Sequence, residues 1–296
     1  MTPVRTAPHR PGPGLLFQGG SIALLTINSD TCKRDGICAA VCPTGIIRLE
    51  NPESVPAVAS VDEAFCIQCG HCVSVCPHGA LAHAALKPED CLPLQKALLP
   101  DLAGAEQFLR SRRSIRVYKQ EPVDRELLSA VIRLASHAPS GHNLQPVRWL
   151  VIHDRKEVQQ LAGMVIDWMR YLIAEKEPIA ATMHMDRVVA AWEDDWDRIC
   201  RGAPHVIVAH AEKDNPTAPA ACTIALSYLE LAAAPHGLGA CWAGYFNAAA
   251  TLWLPLQNAL KLPEGHANFG ALIIGYPKYK YKRMPPRRAP VIDWRQ

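Results

Sequence analysis

Long apolar runs are missing from this 296-residue chain, and no uninterrupted stretch reaches the ~20 residues that a membrane-spanning helix needs. A strong charge of either sign is missing too. The 31 Lys and Arg against 28 Asp and Glu leave a net +3, too mild to point to nucleic acid. No secretory leader is legible. Residues 1–20 carry two arginines and four prolines but no apolar core, and read as a flexible N-terminal arm. No G-x-G-x-x-G fingerprint marks a separate nicotinamide domain. Hydrophobic content of 49% with 20% charged residues is ordinary for a globular protein with room for one large domain or two smaller ones. The expected location is the cytoplasm, whose reducing conditions suit 11 cysteines with no sign of a disulfide framework.

Those cysteines are what the sequence has in abundance. Cys66, Cys69, Cys72 and Cys76, with Pro77 after the last, follow the C-x₂-C-x₂-C-x₃-C-P spacing of iron–sulfur proteins. Three thiolates on one tight loop can each reach a different iron of one cubane, whereas zinc favours two separated pairs. The motif is duplicated. At an offset of 34 residues Cys32, Cys38, Cys42, Pro43 and Gly45 fall on Cys66, Cys72, Cys76, Pro77 and Gly79, while Asp35 stands where Cys69 is expected. Such a repeat predicts two copies of one unit facing each other across a pseudo-twofold axis. A strand is expected over Ser21–Ile27, and a short hairpin from Ile46–Leu49 and Val55–Val58 around Asn51–Ser54. Cys91, Cys200, Cys222 and Cys241 share no spacing and read as small buried hydrophobes.

Residues 86–104, with Pro88, Pro93 and Pro100, read as a linker without periodicity. Beyond it helices alternate with few strands. Asp124 is expected to cap a helix with Leu127, Leu128, Val131, Ile132, Leu134 and Ala135 on one face. Strands are expected at 147–153, 204–211 and 268–275, helices at 154–175, 180–199 and 217–234, and a buried segment at 237–244. The fold class is α+β, built around one sheet. Arg112, Arg113, Ser114 and Arg116 form a good phosphate grip, because guanidinium groups bind phosphate through paired hydrogen bonds. The tail 278–288 interleaves aromatic and basic residues, but one patch at modest net charge reads better as an arm on a partner subunit than as a nucleic-acid surface.

Residues 21–85 resemble a bacterial two-cluster ferredoxin, in which the fourth cysteine of each motif serves the other cluster. The resemblance implies one cluster on Cys66, Cys69, Cys72 and Cys42. The other would sit on Cys32, Cys38 and Cys76 with Asp35 as the fourth candidate ligand. A carboxylate is harder than a thiolate, so this second centre is expected as [4Fe–4S] with an Asp or solvent ligand, or as [3Fe–4S]. An empty, degenerate site is the alternative. Further on, S-R-R-S-I-R-x-Y, A-P-S-G-x-N-x-Q-P, G-L-G-A-C-W-A-G and a basic tail, in this order, resemble the FMN-dependent nitroreductase family over about residues 105–290. That resemblance implies an FMN-binding domain over 105–296, with a central sheet flanked by helices, and a homodimer with FMN at its interface. Arg112, Arg113, Ser114 and Arg116 match its phosphate and ribityl contacts. Pro139, Ser140 and Gly141 match the segment laid on the partner's flavin ring, and Asn143 and Gln145 its polar contacts. Trp242, Ala243 and Gly244 match the turn at the reactive edge of the ring, and Arg287 and Arg288 the basic pair that closes on the phosphate.

Taken together these features predict an iron–sulfur flavoprotein oxidoreductase. A donor such as ferredoxin would supply electrons to two clusters, and FMN would pass them to a nitro compound, a quinone or an activated double bond. No side chain stands out as the catalytic acid or base. A second reading has NAD(P)H feeding FMN directly, with the clusters as outlet or accessory. A third is an electron carrier or flavin store without a small substrate. Trp168, Met169, Tyr171, Met183, Met185, Trp192 and Trp196 fall where the family's variable helices cover the substrate, and about half are expected to be core.

Overall fold

The computed structural model describes residues 23–295, so the expected N-terminal arm and the first residues of the Ser21–Ile27 strand lie outside the described residues. The chain divides into two compact units between Leu99 and Pro100.

The first unit is two interlocked copies of one strand–helix–strand element. The first copy is β1 (Leu25–Ile27), α1 (Ile37–Ala40) and β2 (Ile47–Arg48). The second is β3 (Ala57–Val58), α2 (His71–Val75) and β4 (Leu81–His83). Each copy closes the other's sheet: β1 pairs antiparallel with β4, and β2 with β3. The latter pair is the hairpin anticipated around Asn51. The 34-residue repeat extends to the backbone. Arg34 and Gln68, Gly36 and Gly70, and Gly45 and Gly79 all have positive φ. Gly36 and Gly70 begin the two helices in the left-handed region at φ 70° and 73°, where a Cβ is disfavoured. Between the copies Cys38, Ile46, Ile47, Val73 and Leu81 form a small buried core.

The second unit opens earlier than the linker reading allowed. Helix α3 runs over Leu102–Ser111, with the Gly104 N–H donating to Asp101 Oδ1 at 2.7 Å, so the expected linker 86–104 already turns helical in its last residues. After it come α4 (Arg125–Ala135), β5 (Arg148–Ile152), α5 (Arg155–Ala174), α6 (Pro178–Thr182), α7 (Met185–Glu193), β6 (His205–Glu212) and α8 (Ala218–Ala233). The remaining elements are β7 (Gly239–Trp242), α9 (Gly244–Leu252), α10 (Leu254–Leu260) and β8 (His266–Gly275). Asp124 caps α4 as expected, accepting from the Glu126 N–H at 2.7 Å. The single helix anticipated over 180–199 is instead two, broken at His184, which takes φ 49°. The segment 237–244, legible only as buried, supplies strand β7.

The four strands form one antiparallel sheet in the order β5-β6-β8-β7. Helices cover both of its faces. Val206 and Val208 of β6 and Ala271 and Ile273 of β8 pack into a core with α5, α7, α9 and α10. The alternate residues Ile207, Ala209, Leu272 and Ile274 face α4 and α8. This double burial explains why these strands read as continuous apolar runs rather than as alternation. Each fully buried Leu, Ile or Val contributes roughly 1.5–3 kcal/mol. The fold is the expected α+β type, a central sheet between helical layers. No helix among the described residues is long and apolar enough to cross a membrane.

Candidate functional site: two cysteine cavities and an arginine cradle

The interlocking of the first unit exchanges its cysteines between copies. One cavity is lined by Cys32, Asp35 and Cys38 of the first motif and Cys76 of the second. The other is lined by Cys66, Cys69 and Cys72 with Cys42. These are the two ligand sets that the ferredoxin resemblance implied, and each motif lends its last cysteine to the other cavity. All eleven cysteines are unbridged. Among the described residues no three Cys, His, Asp or Glu side chains converge to hold a single metal ion, so the thiols face a space rather than a point.

The thiols differ electrostatically. Burial pushes Cys72 up to about 11 and raises Cys66 and Cys38 as well. At Cys42 burial is outweighed by the Thr44 hydroxyl, 3.5 Å from Sγ, and by the N–H groups of Thr44, Ile46 and Ile47, and the thiol is held below its ordinary value. Buried thiols gain most from exchanging their protons for a metal, which supplies the positive charge that the protein withholds. The residues therefore fit two iron–sulfur clusters. Asp35 faces the first cavity, but its carboxylate also has local partners. Oδ1 accepts from the Ile37 N–H at 3.2 Å, and Oδ2 lies 4.0 Å from His78 Nε2. Two residues here escaped the sequence reading. His78 follows the second Cys-Pro pair, where the first copy has Thr44. His83 is buried in β4 with Nε2 3.5 Å from Cys66 Sγ. A histidine in a short apolar strand, where the other copy has Leu49, was the available signal.

In the second unit the segment 112–116 lies along β7. The Ile115 N–H donates to the Ala240 carbonyl at 2.9 Å, and a side chain at Gly239 would collide with Ile115 and with Pro277 at 2.9 Å. This contact brings the arginine segment alongside the strand that ends in Trp242, Ala243 and Gly244. The Ala243 N–H is held by the Ala271 carbonyl at 3.0 Å, and Gly244, exposed, starts α9. Trp242 is half-exposed. The four grip residues are not equivalent. Arg112 donates to the buried carboxylate of Glu230 on α8 at 2.8 Å. Arg113 donates through Nη1 to the carbonyls of Arg110 and Arg112, and its buried Nε has no hydrogen-bond partner among the described residues. Ser114 is partly buried and Arg116 exposed. A buried, unsatisfied guanidinium N–H costs ~1–3 kcal/mol unless an acceptor arrives, so this cradle fits an anionic group such as a flavin phosphate.

The 139–145 segment lies elsewhere. The Gln145 N–H donates to Ser140 Oγ at 2.9 Å and the Gln145 side chain to Asn143 Oδ1 at 3.0 Å. Asn143 and Gln145 have positive φ of 53° and 47°, as does His142, an amount of strain that accumulates at ligand sites. A Cβ on Gly141 would meet Thr217 Cγ2 at 2.9 Å, which places the segment at the start of α8, whereas Arg112 holds Glu230 near its end. At 1.5 Å per residue those points are about 20 Å apart. One chain thus does not bring its own Ser140 and Arg112 together. Pro139 is exposed, and so are Arg287 and Arg288, which no hydrogen bond among the described residues ties down. Trp168, Met169 and Met185 are core, Met183 and Trp192 pack on it, and only Tyr171 and Trp196 are largely exposed.

Comparison with known proteins agrees with this division. The nitroreductase family model matches residues 109–276, more than half of the chain, and a 4Fe-4S dicluster domain model matches residues 24–78. A NADH dehydrogenase of Thermus thermophilus is 29% identical over 68% of this chain and 100% of that protein. An iodotyrosine deiodinase of Thermotoga neapolitana is 27% identical over 44% of this chain and 68% of that protein. The FMN-bound nitroreductase of Bacteroides fragilis is 18% identical, covers 63% of this chain and 97% of its own, and superposes with a TM-score of 0.52. An FMN-bound nitroreductase of Desulfitobacterium hafniense is 24% identical over 63% of this chain and 97% of its own, at 0.51. These structures share the fold of the second unit.

Proposed function

The chain belongs to the nitroreductase family, and we propose that it is an FMN-dependent oxidoreductase that draws single electrons from a donor such as reduced ferredoxin and reduces a small acceptor. A nitro group, a quinone or an activated double bond is the acceptor class. The observation that carries the reading is the presence, in one chain, of two cysteine cavities and an arginine whose buried Nε has no acceptor among the described residues. Clusters pass electrons singly, and FMN collects two and releases them singly or as a hydride, which is the chemical reason to join the two.

The chain's own residues bind, orient and exclude water. Arg113 and Arg116 supply the charge for the phosphate, Ser114 adds a hydroxyl, and Glu230 fixes Arg112. Trp242, Ala243 and Gly244 place backbone and an indole at the ring, and Pro139–Gln145 is offered to a second subunit. Arg287 and Arg288 close on the phosphate from the tail. The separation along α8 favours a homodimer in which each flavin is gripped by both chains.

The kinship with a NADH dehydrogenase favours a second reading, in which NAD(P)H feeds the flavin directly. An anaerobic mix of the purified protein with NADH or NADPH separates the two. Flavin absorbance should persist with either nucleotide and bleach with reduced ferredoxin. Rapid bleaching by a nucleotide alone would make the clusters an outlet.

A further inference from the structure

We propose that His83 raises the reduction potential of the cluster on Cys42, Cys66, Cys69 and Cys72 above that of its neighbour, by donating a hydrogen bond from Nε2 to Cys66 Sγ. The inference rests on the cluster reading given above. The proton's position is fixed by donor accounting. The Ala85 N–H can only donate, and it points at His83 Nδ1 at 2.9 Å, so Nδ1 offers its lone pair. The neutral ring then carries its proton on Nε2, 3.5 Å from the Cys66 sulfur.

The ring cannot easily turn away. His83 pairs with Leu25 across β1 and β4. Its N–H donates to the Leu86 carbonyl at 2.8 Å, and the Leu86 N–H returns to the His83 carbonyl at 2.9 Å. The residue is 4% exposed, so little water competes for the sulfur. A hydrogen bond to an ionised sulfur in such a site is stronger than a neutral one. Adding one electron to a cluster increases the negative charge on its sulfurs. A fixed N–H therefore favours the reduced form, as hydrogen bonds to cluster sulfurs do in general.

The other site has no histidine at the equivalent place, its sulfur contact being the Ala80 N–H, which donates to Cys76 Sγ at 3.4 Å. The residue at the same place in the first repeat is Leu49, which has no donor to offer. That cavity instead has the carboxylate of Asp35, a hard anion that favours the oxidised, more positive core, with Lys33 and His78 also in its lining. Of the departures from repeat symmetry, His83 and Asp35 act in opposite senses. The electron should therefore rest on the cluster beside His83.

The test uses full-length H83L and H83Q proteins purified anaerobically, with iron and acid-labile sulfide measured first. Potentiometric titration with EPR detection then tracks each cluster. H83L should move one midpoint to more negative potential and leave the other in place, and H83Q, whose amide can still donate, should fall between. Both midpoints unchanged at full iron content would overturn the proposal. If H83L does not hold iron, pulsed EPR on the unaltered protein carrying ¹⁵N-histidine decides the matter. A histidine-nitrogen coupling at the reduced cluster is expected, and its absence overturns the proposal. Unaltered protein without iron and sulfide would remove the cluster reading itself, and this inference with it.

Discussion

At the scale of single residues the informative groups are those whose partners are incomplete or fixed. Arg113 Nε is buried with no acceptor among the described residues, so Arg113→Ala should weaken FMN retention by ~10–100-fold, the loss of a charge-assisted hydrogen bond. Flavin-to-protein ratio after gel filtration reads this directly, and an undiminished ratio removes Arg113 from the phosphate site. Asp35→Cys should convert the first site to an all-thiolate [4Fe–4S] EPR spectrum, whereas an unchanged spectrum would place Asp35 away from iron. Two buried histidines set the acid limit. His205 accepts from the Val123 N–H at 2.8 Å, stacks on His153 at 4.2 Å, and is pushed by burial down to about 4. His210, 3.0 Å from His266, is likewise pushed by burial to about 4. Their folded-state values lie below the unfolded 6.5, so the unfolded chain takes up protons first. Stability from this source is complete above about pH 6.5 and falls between there and pH 4, by a few kcal/mol per histidine at order of magnitude. Thermal unfolding of the intact protein from pH 7 to pH 4 should show the decline, and a flat Tm would contradict it.

At the scale of elements the decisive contact is that between the 112–116 segment and β7. Gly239→Ala would push Ile115 and Pro277 off the strand, and it should lower both Tm and flavin retention together. Tm falling with flavin occupancy intact would show that the segment's register does not shape the cradle. Sequence patterning reached most elements for a plain reason. Apolar runs bounded by a cap such as Asp124 are local signals, and the cysteine spacing is a covalent pattern that the fold had to respect. It missed what depends on distant partners. β7 is a strand because β8 lies beside it, and a Gly-rich run carries no β signal of its own. The break at His184 and the pairing of Arg112 with Glu230 are likewise tertiary. The exchange of Cys42 and Cys76 between cavities was implied by the ferredoxin resemblance, whereas His83 on Cys66 needed coordinates.

At the scale of the whole molecule the distribution of the candidate flavin residues along α8 argues for two subunits. A chain carrying Arg113→Ala and another carrying Gly141→Val, which would strike Thr217, should each lose flavin when expressed alone. Coexpressed, they should form mixed dimers with one intact site, built from the arginines of one chain and the 139–145 segment of the other. No recovery of flavin in isolated mixed dimers would mean that each chain completes its own site. The first unit has a different consequence. Because β1 lies against β4 and β2 against β3, the first and last strands of the repeat meet in one small sheet and its middle strands in another. Each cavity draws cysteines from both copies, so a break in either strand pair should reach both cavities at once. The cysteine unit thus stands or falls as a whole: its two sites share one scaffold, and neither half can be loosened alone.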